Sequence, residues 1–205
     1  IYKIHKNYIE KGADYITTNT FRTTPRAFKK TGLNEQEAID AAHKSFQSAI
    51  AMAKKAADET KILGSIAPLE DCYQPELFPG IKVAKKEFEE IGVLFYKSNI
   101  DCFILETMNS IIETKTCIEA IRQFKISIWV SFNLLNSHQI QSGESLKDAI
   151  YEMKKYPIHK YMHRYKKSYC LSLNSKLDSP WKYKGVEFFA FSKYAEWNKP
   201  VFEYI

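Results

Sequence analysis

Glu106 closes a short apolar run, Asp101-Cys-Phe-Ile-Leu-Glu-Thr107, which then breaks into Met108-Asn109-Ser110. Runs of this kind suit a strand buried in a parallel sheet, apolar on both faces and with its chemistry on the loop beyond the carboxyl end. A carboxylate placed there either caps the following helix or binds a ligand. A second stretch repeats the pattern. Asp14-Tyr-Ile-Thr-Thr-Asn-Thr-Phe21 and Asp101-Cys-Phe-Ile-Leu-Glu-Thr-Met108 share Asp-x-apolar-x-x-(Asn/Glu)-Thr-apolar, and each follows an amphipathic helix. Equal register puts Asn19 and Glu106 at equal heights at the carboxyl ends of two strands. The bland reading is two similar strands arising by chance in a repetitive architecture.

The elements that must position these residues can be read in order. Ile1, Ile4 and Tyr8 predict a helix over 1–11, stopped by Gly12. Residues 14–18 read as a strand and 22–25 as a loop. Asn34 with Glu37 three residues on starts a long helix to about Asp58, with Ala38, Ala42, Phe46, Ala49, Ala53 and Ala57 as its apolar stripe. Residues 61–66 form the next strand, ended by Ala67-Pro68. Ala84, Phe88, Ile91 and Phe95 mark a helix leading to the strand at Asp101. A helix over 110–124 buries Cys117, Ala120, Ile121 and Phe124, and a strand over 127–132 follows. Leu146, Ala149, Ile150 and Met153 mark one more helix. Beyond it the pattern blurs, with candidate strands at 168–172 and 186–191.

Strand and helix alternating at this spacing mean parallel βα units and an α/β fold. Periodicity alone leaves a (βα)8 barrel and an open doubly wound sheet both standing. No GxGxxG or GxxxxGK[ST] occurs, which removes the best support for a nucleotide-binding open sheet.

Composition bounds the rest. The 205 residues suffice for one sizeable core, and 45% hydrophobic with 26% charged residues is ordinary for a soluble domain. No apolar run approaches a membrane span and no signal peptide is spelled, so a cytoplasmic protein is the simple expectation. Cys72, Cys102, Cys117 and Cys170 are scattered, with no CxxC pair, which argues against a disulfide framework and a finger-type zinc site. The net charge of +6 resides in residues 151–205, which also hold 14 of the 29 aromatic residues.

Seven short motifs stand together in a recognisable order. Ile4-His-x-x-Tyr8, Gly12-Ala-Asp-Tyr-Ile-Thr-Thr-Asn-Thr-Phe21, Gly64-Ser-Ile-Ala-Pro68, Asp101-x-x-x-x-Glu-Thr107, Glu119-Ala120, Trp129-Val-Ser-Phe132 and Ser142-Gly-Glu-x-Leu146 resemble the homocysteine S-methyltransferase family over residues 1–156. The resemblance implies a TIM-type (βα)8 barrel that holds the thiolate of homocysteine on zinc at its mouth. It implies methyl transfer to that thiolate from a donor such as S-methylmethionine, S-adenosylmethionine, betaine or a methylfolate system. The family pattern also implies that the first and last strands of the barrel lie outside this chain, which opens on Ile1 in mid-helix. Residues 1–205 would then be one incomplete barrel domain whose last quarter has diverged.

Carried over, Glu106 would receive the amino group of homocysteine, with Asn19, Thr20, Phe21, Ser65, the stretch after Pro68 and Ser131 lining the same pocket. Structural alternatives stand beside these roles: Thr20 and Ser65 could satisfy backbone at strand ends, and Phe21 could be core. For zinc, Cys170 falls where the family's first cysteine is expected, but the adjacent cysteine pair and the Asp-Gly of the first strand are absent. His159 and His163 would share a helix face if that segment were helical, and with Cys170 make a chemically acceptable set. The other cysteines read as small apolar residues. A second reading is a non-catalytic degenerate barrel or binding protein. Its motive is the tail, where Lys166-Lys167 and Lys182-x-Lys184 interleave with aromatics as in surfaces that bind single-stranded nucleic acid. Solvated charges at a diverged end account for the tail more simply.

Overall fold

The computed structural model describes residues 1–156, 158–165 and 188–190. The described elements are α1 (Tyr2–Glu10), β1 (Tyr15–Thr17), α2 (Pro25–Lys29), α3 (Glu35–Ala57), β2 (Lys61–Ile66), α4 (Ile81–Lys97), β3 (Cys102–Met108), α5 (Ile111–Ile121), β4 (Ser127–Leu134), α6 (Leu146–Met153), β5 (Ile158–Tyr165) and β6 (Phe188–Ala190).

Local chemistry sets several boundaries. The Glu37 amide donates to the Asn34 side chain and the Asn34 amide donates to the Glu37 carboxylate, each at 3.0 Å, a reciprocal box that opens α3. The predicted alanine stripe of α3 is buried. The loop expected at 22–25 runs into the short helix α2, where Thr24 accepts from the Ala27 amide and Pro25 stands where no N–H is needed. Helix α1 forms as predicted but turned about its axis. Ile1, Ile4 and Tyr8 face solvent, while Tyr2, His5 and Ile9 pack inward. Its docking on α3 fixes that face: Lys6 reaches Asp58 at 2.6 Å and Lys55 lies over the Tyr2 ring.

Every described strand pairs in parallel, and the order across the sheet is the order in the chain. A doubly wound sheet reverses its order at a switch point. This sheet does not, and the fold is of the (βα)8 TIM-barrel type. The side chains record the curl. Tyr15 on β1 and Trp129 on β4 are three strand spacings apart, about 14 Å in a flat sheet. Their ring centroids nevertheless lie 4.7 Å apart, at 62°. They meet because the sheet is concave on that face.

Alternate residues therefore serve two cores. Phe103 and Leu105 face the helices, where Phe95 packs edge-on against both Phe46 and Phe103. Cys102 and Ile104 face the lumen with Leu63, Trp129 and Tyr15. One segment departs from the sequence reading. Residues 158–165, where a helix would have set His159 and His163 on one face, form β5 paired with β4 from Ile128↔Ile158 to Leu134↔Tyr165, with one register shift between Ile128 and Trp129. Its sequence carries little apolar alternation, so pairing with the neighbouring strand decides its state. In a strand, His159 and His163 stand about 13 Å apart along the chain and lose the one-turn spacing of a helix face. The strand expected at 186–191 is represented by β6; that at 168–172 lies outside the described residues.

Gly64 shows how closely the outer layer packs on β2. A methyl group there would stand 2.7 Å from Phe95 Cδ1 and closer still to Ile100 Cδ1, both core side chains. Gly64→Ala should therefore cost about 1–3 kcal/mol of stability through overpacking. Scanning calorimetry should show the melting temperature falling by several degrees; an unchanged transition would contradict this packing.

Candidate functional site

Side-chain parity decides which strand-end residues share a space. Leu63, Ile104 and Trp129 point into the lumen, so Ser65, Glu106 and Ser131, each two positions on, share that parity. Height follows from register. Continued past the end of β1, the row Thr17↔Leu63 brings Asn19 level with Ser65 and hence with Ile104, so Glu106 lies two residues further on. An eight-stranded barrel of shear 8 is staggered by about one residue per strand, which makes two residues across two strands. Asn19, exposed just beyond β1, and Glu106 therefore belong to one layer. By the same count, through Ile104↔Trp129, Ser65 and Ser131 belong to the adjacent one.

Hydrogen bonds tie this tier together from below. Glu106 is half-buried, and the buried Ser65 hydroxyl donates to its Oε2 in a short hydrogen bond. Ser65 is itself pinned on both sides. Its amide donates to Thr18 Oγ1 at 3.0 Å, and its carbonyl accepts from Thr20 Oγ1 at 2.8 Å. The two threonine hydroxyls lie 2.8 Å apart. Because the Thr20 proton goes to Ser65, Thr18 is the donor between them. The backbone of β1 ends at Thr17, and two hydroxyls carry its ladder one step further. Thr20 thus satisfies backbone at a strand end, as the structural alternative had it, and by doing so holds the residue that holds Glu106.

Strand β3 bulges at this point. Leu105 pairs with Val130 and Met108 with Phe132, so Glu106 and Thr107 together oppose Ser131. Thr107 takes φ +54°, a left-handed conformation that costs a β-branched residue about 1–3 kcal/mol. Its hydroxyl is buried without a hydrogen-bond partner. The bulge interrupts the pairing at Glu106 and Thr107, and it resumes at Met108. The cap of α5 is Ser110, whose Oγ accepts from the Glu113 amide at 3.4 Å, which removes the helix-cap reading of Glu106.

Phe21 is half-buried beneath the Arg22 guanidinium. With Thr20 and Ser65 it borders a cavity of about 1000 Å³ that runs among residues of α2, α3 and α4. Arg26 crosses that space to Glu87 and Glu70, and these carboxylates raise its pKa further.

Sequence reasoning missed Thr18 and Glu113. Ser110-x-x-Glu113 has the spelling of a capping box, yet the Glu113 carboxylate leaves its own helix and accepts from the Leu69 amide at 2.8 Å. Burial pushes its pKa up to about 7, with Glu70 adding to the shift and the Leu69 hydrogen bond, Arg22 and Arg26 opposing it. Nothing in the local spelling names Leu69 as the partner.

Cysteines 72, 102 and 117 are buried, as expected of small apolar residues, and burial raises the Cys117 thiol well above its ordinary range. Among the described residues no group of three or more His, Cys, Asp or Glu side chains could hold a metal ion. These residues therefore do not fit a zinc site. Cys170 and the basic aromatic tail around Lys166, Lys167, Lys182 and Lys184 lie outside the described residues. No described helix is long and apolar enough to cross a membrane.

Against known proteins, the homocysteine S-methyltransferase family model matches residues 1–163. Homocysteine S-methyltransferase 1 of Arabidopsis thaliana and its namesake in Brassica oleracea var. italica are each 22% identical over 176 residues, 76% of this chain and 54% of theirs. The chain thus spans about half the length of the curated relatives it matches. Crystal structures of the homocysteine methyltransferase MmuM from Escherichia coli share the fold. The oxidized form gives a TM-score of 0.70 at 19% identity, covering 80% of this chain and 61% of that one. The metallated form gives 0.63 at 20% identity, covering 80% and 62%.

The Glu113 carboxyl has a consequence for stability. With a folded pKa of about 7 against an ordinary 4.5, the folded state holds this proton more tightly, so stability falls as pH rises through that window and levels off above it. The loss attributable to this group is at most about 3 kcal/mol. Glu113→Gln keeps an acceptor for Leu69 and has no proton to lose. Urea unfolding at pH 5 and pH 8 should show a smaller drop for the variant than for the unmodified protein; equal drops would show that Glu113 does not titrate there.

Proposed function

This chain belongs to the homocysteine S-methyltransferase family, and on that premise we propose that its lumen tier binds homocysteine, whose sulfur accepts a methyl group to give methionine. The observation that carries the reading is Glu106, a half-buried carboxylate above an apolar lumen, oriented by Ser65. A carboxylate in such a place attracts an ammonium group strongly, because little water intervenes to screen the pair. Thr18 and Thr20 keep Ser65 in place, so the carboxylate is aimed before the substrate arrives. Ser131 and Asn19, in the same two layers, are the neutral polar groups nearest in register to complete the amino-acid end of the pocket. The stretch after Pro68 borders it, while Phe21 lines the cavity among α2, α3 and α4.

The thiol must lose its proton, since a free thiol has a pKa near 8.5. Its sulfur then attacks the methyl carbon of a sulfonium donor such as S-methylmethionine or S-adenosylmethionine. A new carbon–sulfur bond forms as the donor's breaks, and the departing thioether keeps the electron pair. The family uses zinc to hold the thiolate. The described residues offer no ligand set for it.

Calorimetric titration of the whole protein with homocysteine tests the reading. Glu106→Gln should weaken binding by about 10- to 100-fold, the loss of one charge-assisted hydrogen bond, and Ser65→Ala by less. Methionine should form from homocysteine and S-methylmethionine. No binding by the unmodified protein, or equal binding by Glu106→Gln, would overturn the proposal.

A further inference from the structure

The loop that leaves β2 at the mouth is held in an unusual way. Five consecutive residues each have one backbone group bonded by a side chain from another part of the fold. The Leu69 amide donates to Glu113 Oε1 at 2.8 Å, and the Glu70 carbonyl accepts from Arg22 Nη1 at 2.7 Å. The Asp71 carbonyl accepts from Asn109 Nδ2 at 3.4 Å, the Cys72 carbonyl from Asn133 Nδ2 at 3.1 Å, and the Tyr73 carbonyl from Gln141 Nε2 at 3.4 Å. The loop that follows β4 joins the same assembly: the Gln141 amide donates to the Asn133 carbonyl and the Ser142 amide to the Asn109 carbonyl, both at 2.9 Å.

The holding residues stand just above the site tier. Arg22 lies two residues beyond Thr20, Asn109 three beyond Glu106, and Asn133 two beyond Ser131. Asn109 and Asn133 are also neighbours in register, since Met108 pairs with Phe132 immediately before them. Both are almost completely buried, and the side-chain oxygen of each has no protein partner. Burying an amide with half its hydrogen-bonding capacity unused is unfavourable, and apolar residues would close a core at lower cost. What the two amides gain in return is a hold on two successive carbonyls of one loop.

We propose that these side chains clasp loop 69–73 into a fixed roof over the Glu106 tier, and that Asn109 and Asn133 are positioning residues for the amino-acid pocket. This rests on the homocysteine reading for what occupies the pocket, but the clasp itself can be measured without any ligand. A roof fixed in advance leaves less to be ordered on binding, so loosening it should raise KM for homocysteine more than it lowers kcat.

The experiment pairs hydrogen exchange with kinetics on the whole protein carrying Asn133→Leu, and separately Gln141→Ala, a milder change at a half-buried position. Exchange should quicken at the Leu69, Tyr73 and Gln74 amides, by about tenfold in Asn133→Leu, while amides of β2 and β3 keep their rates. KM for homocysteine should rise about tenfold with kcat within about twofold, because one lost buried hydrogen bond is worth about that factor. If Asn133→Leu does not fold, Gln141→Ala is read by the same two measurements, with smaller shifts in the same direction. Unchanged loop exchange overturns the clasp. Faster loop exchange with unchanged KM overturns the positioning role. If the unmodified protein does not bind homocysteine, the functional reading fails, and loop exchange alone then decides the clasp.

Discussion

The hydrogen-bond register across β1, β2, β3 and β4 is the constraint on which the site depends. Because all four strands run parallel and in chain order, one period of two sorts every residue between a helix-facing core and a lumen. Slipping β3 by a single residue would send Ile104 outward and bring Glu106 to the level and face now held by Leu105. Packing on both faces opposes that slip. Phe103 is locked against Phe95 on the helix side, and Ile104 sits with Leu63 and Trp129 on the lumen side. Each such side chain gains about 1.5–3 kcal/mol from burial, and all of them would be displaced together.

Above the apolar lumen, order is passed upward by hydrogen bonds. The register aligns β1 with β2, Thr18 and Thr20 extend that alignment beyond the backbone of β1, Ser65 inherits it, and Glu106 receives it through the Ser65 hydroxyl. The strained Thr107 follows at once, and the chain pairs with β4 once more, at Met108, before it leaves the sheet. A carboxylate placed by this series is useful because the residues beneath it are apolar. The low local dielectric makes an ammonium partner worth more than it would be in water.

Much of this was legible in the sequence, for reasons that differ by element. The Asn34–Glu37 box and the alanine stripe of α3 are local signals, and the structure realises both. The repeat linking Asn19 to Glu106 was legible because both strands occupy equivalent places in a staggered sheet, so similar sequence implies similar height. The buried face of α1 was not, because the choice between Ile4 and His5 depends on where α3 lies. Strand β5 was not, because its state is imposed by β4 and its own residues carry no clear period. Glu113 was hidden by a spelling that names a helix cap, and the holders of loop 69–73 by having partners 38 residues or more away in the chain.

Binding the amino-acid end of homocysteine and activating its sulfur are separable physical tasks. The first needs a carboxylate fixed in a place of low dielectric, and Glu106, held by Ser65 above the apolar lumen, meets that description. The second needs a deprotonated thiol, which burial alone opposes: among the described cysteines, burial raises the thiol of Cys117 and keeps it protonated. A sulfur brought into an apolar lumen would meet the same penalty unless a cation or a base accompanied it. Surroundings that would strengthen a carboxylate–ammonium pair are therefore the wrong surroundings for making a thiolate unaided, and the two tasks call for different residues at different places on a barrel mouth.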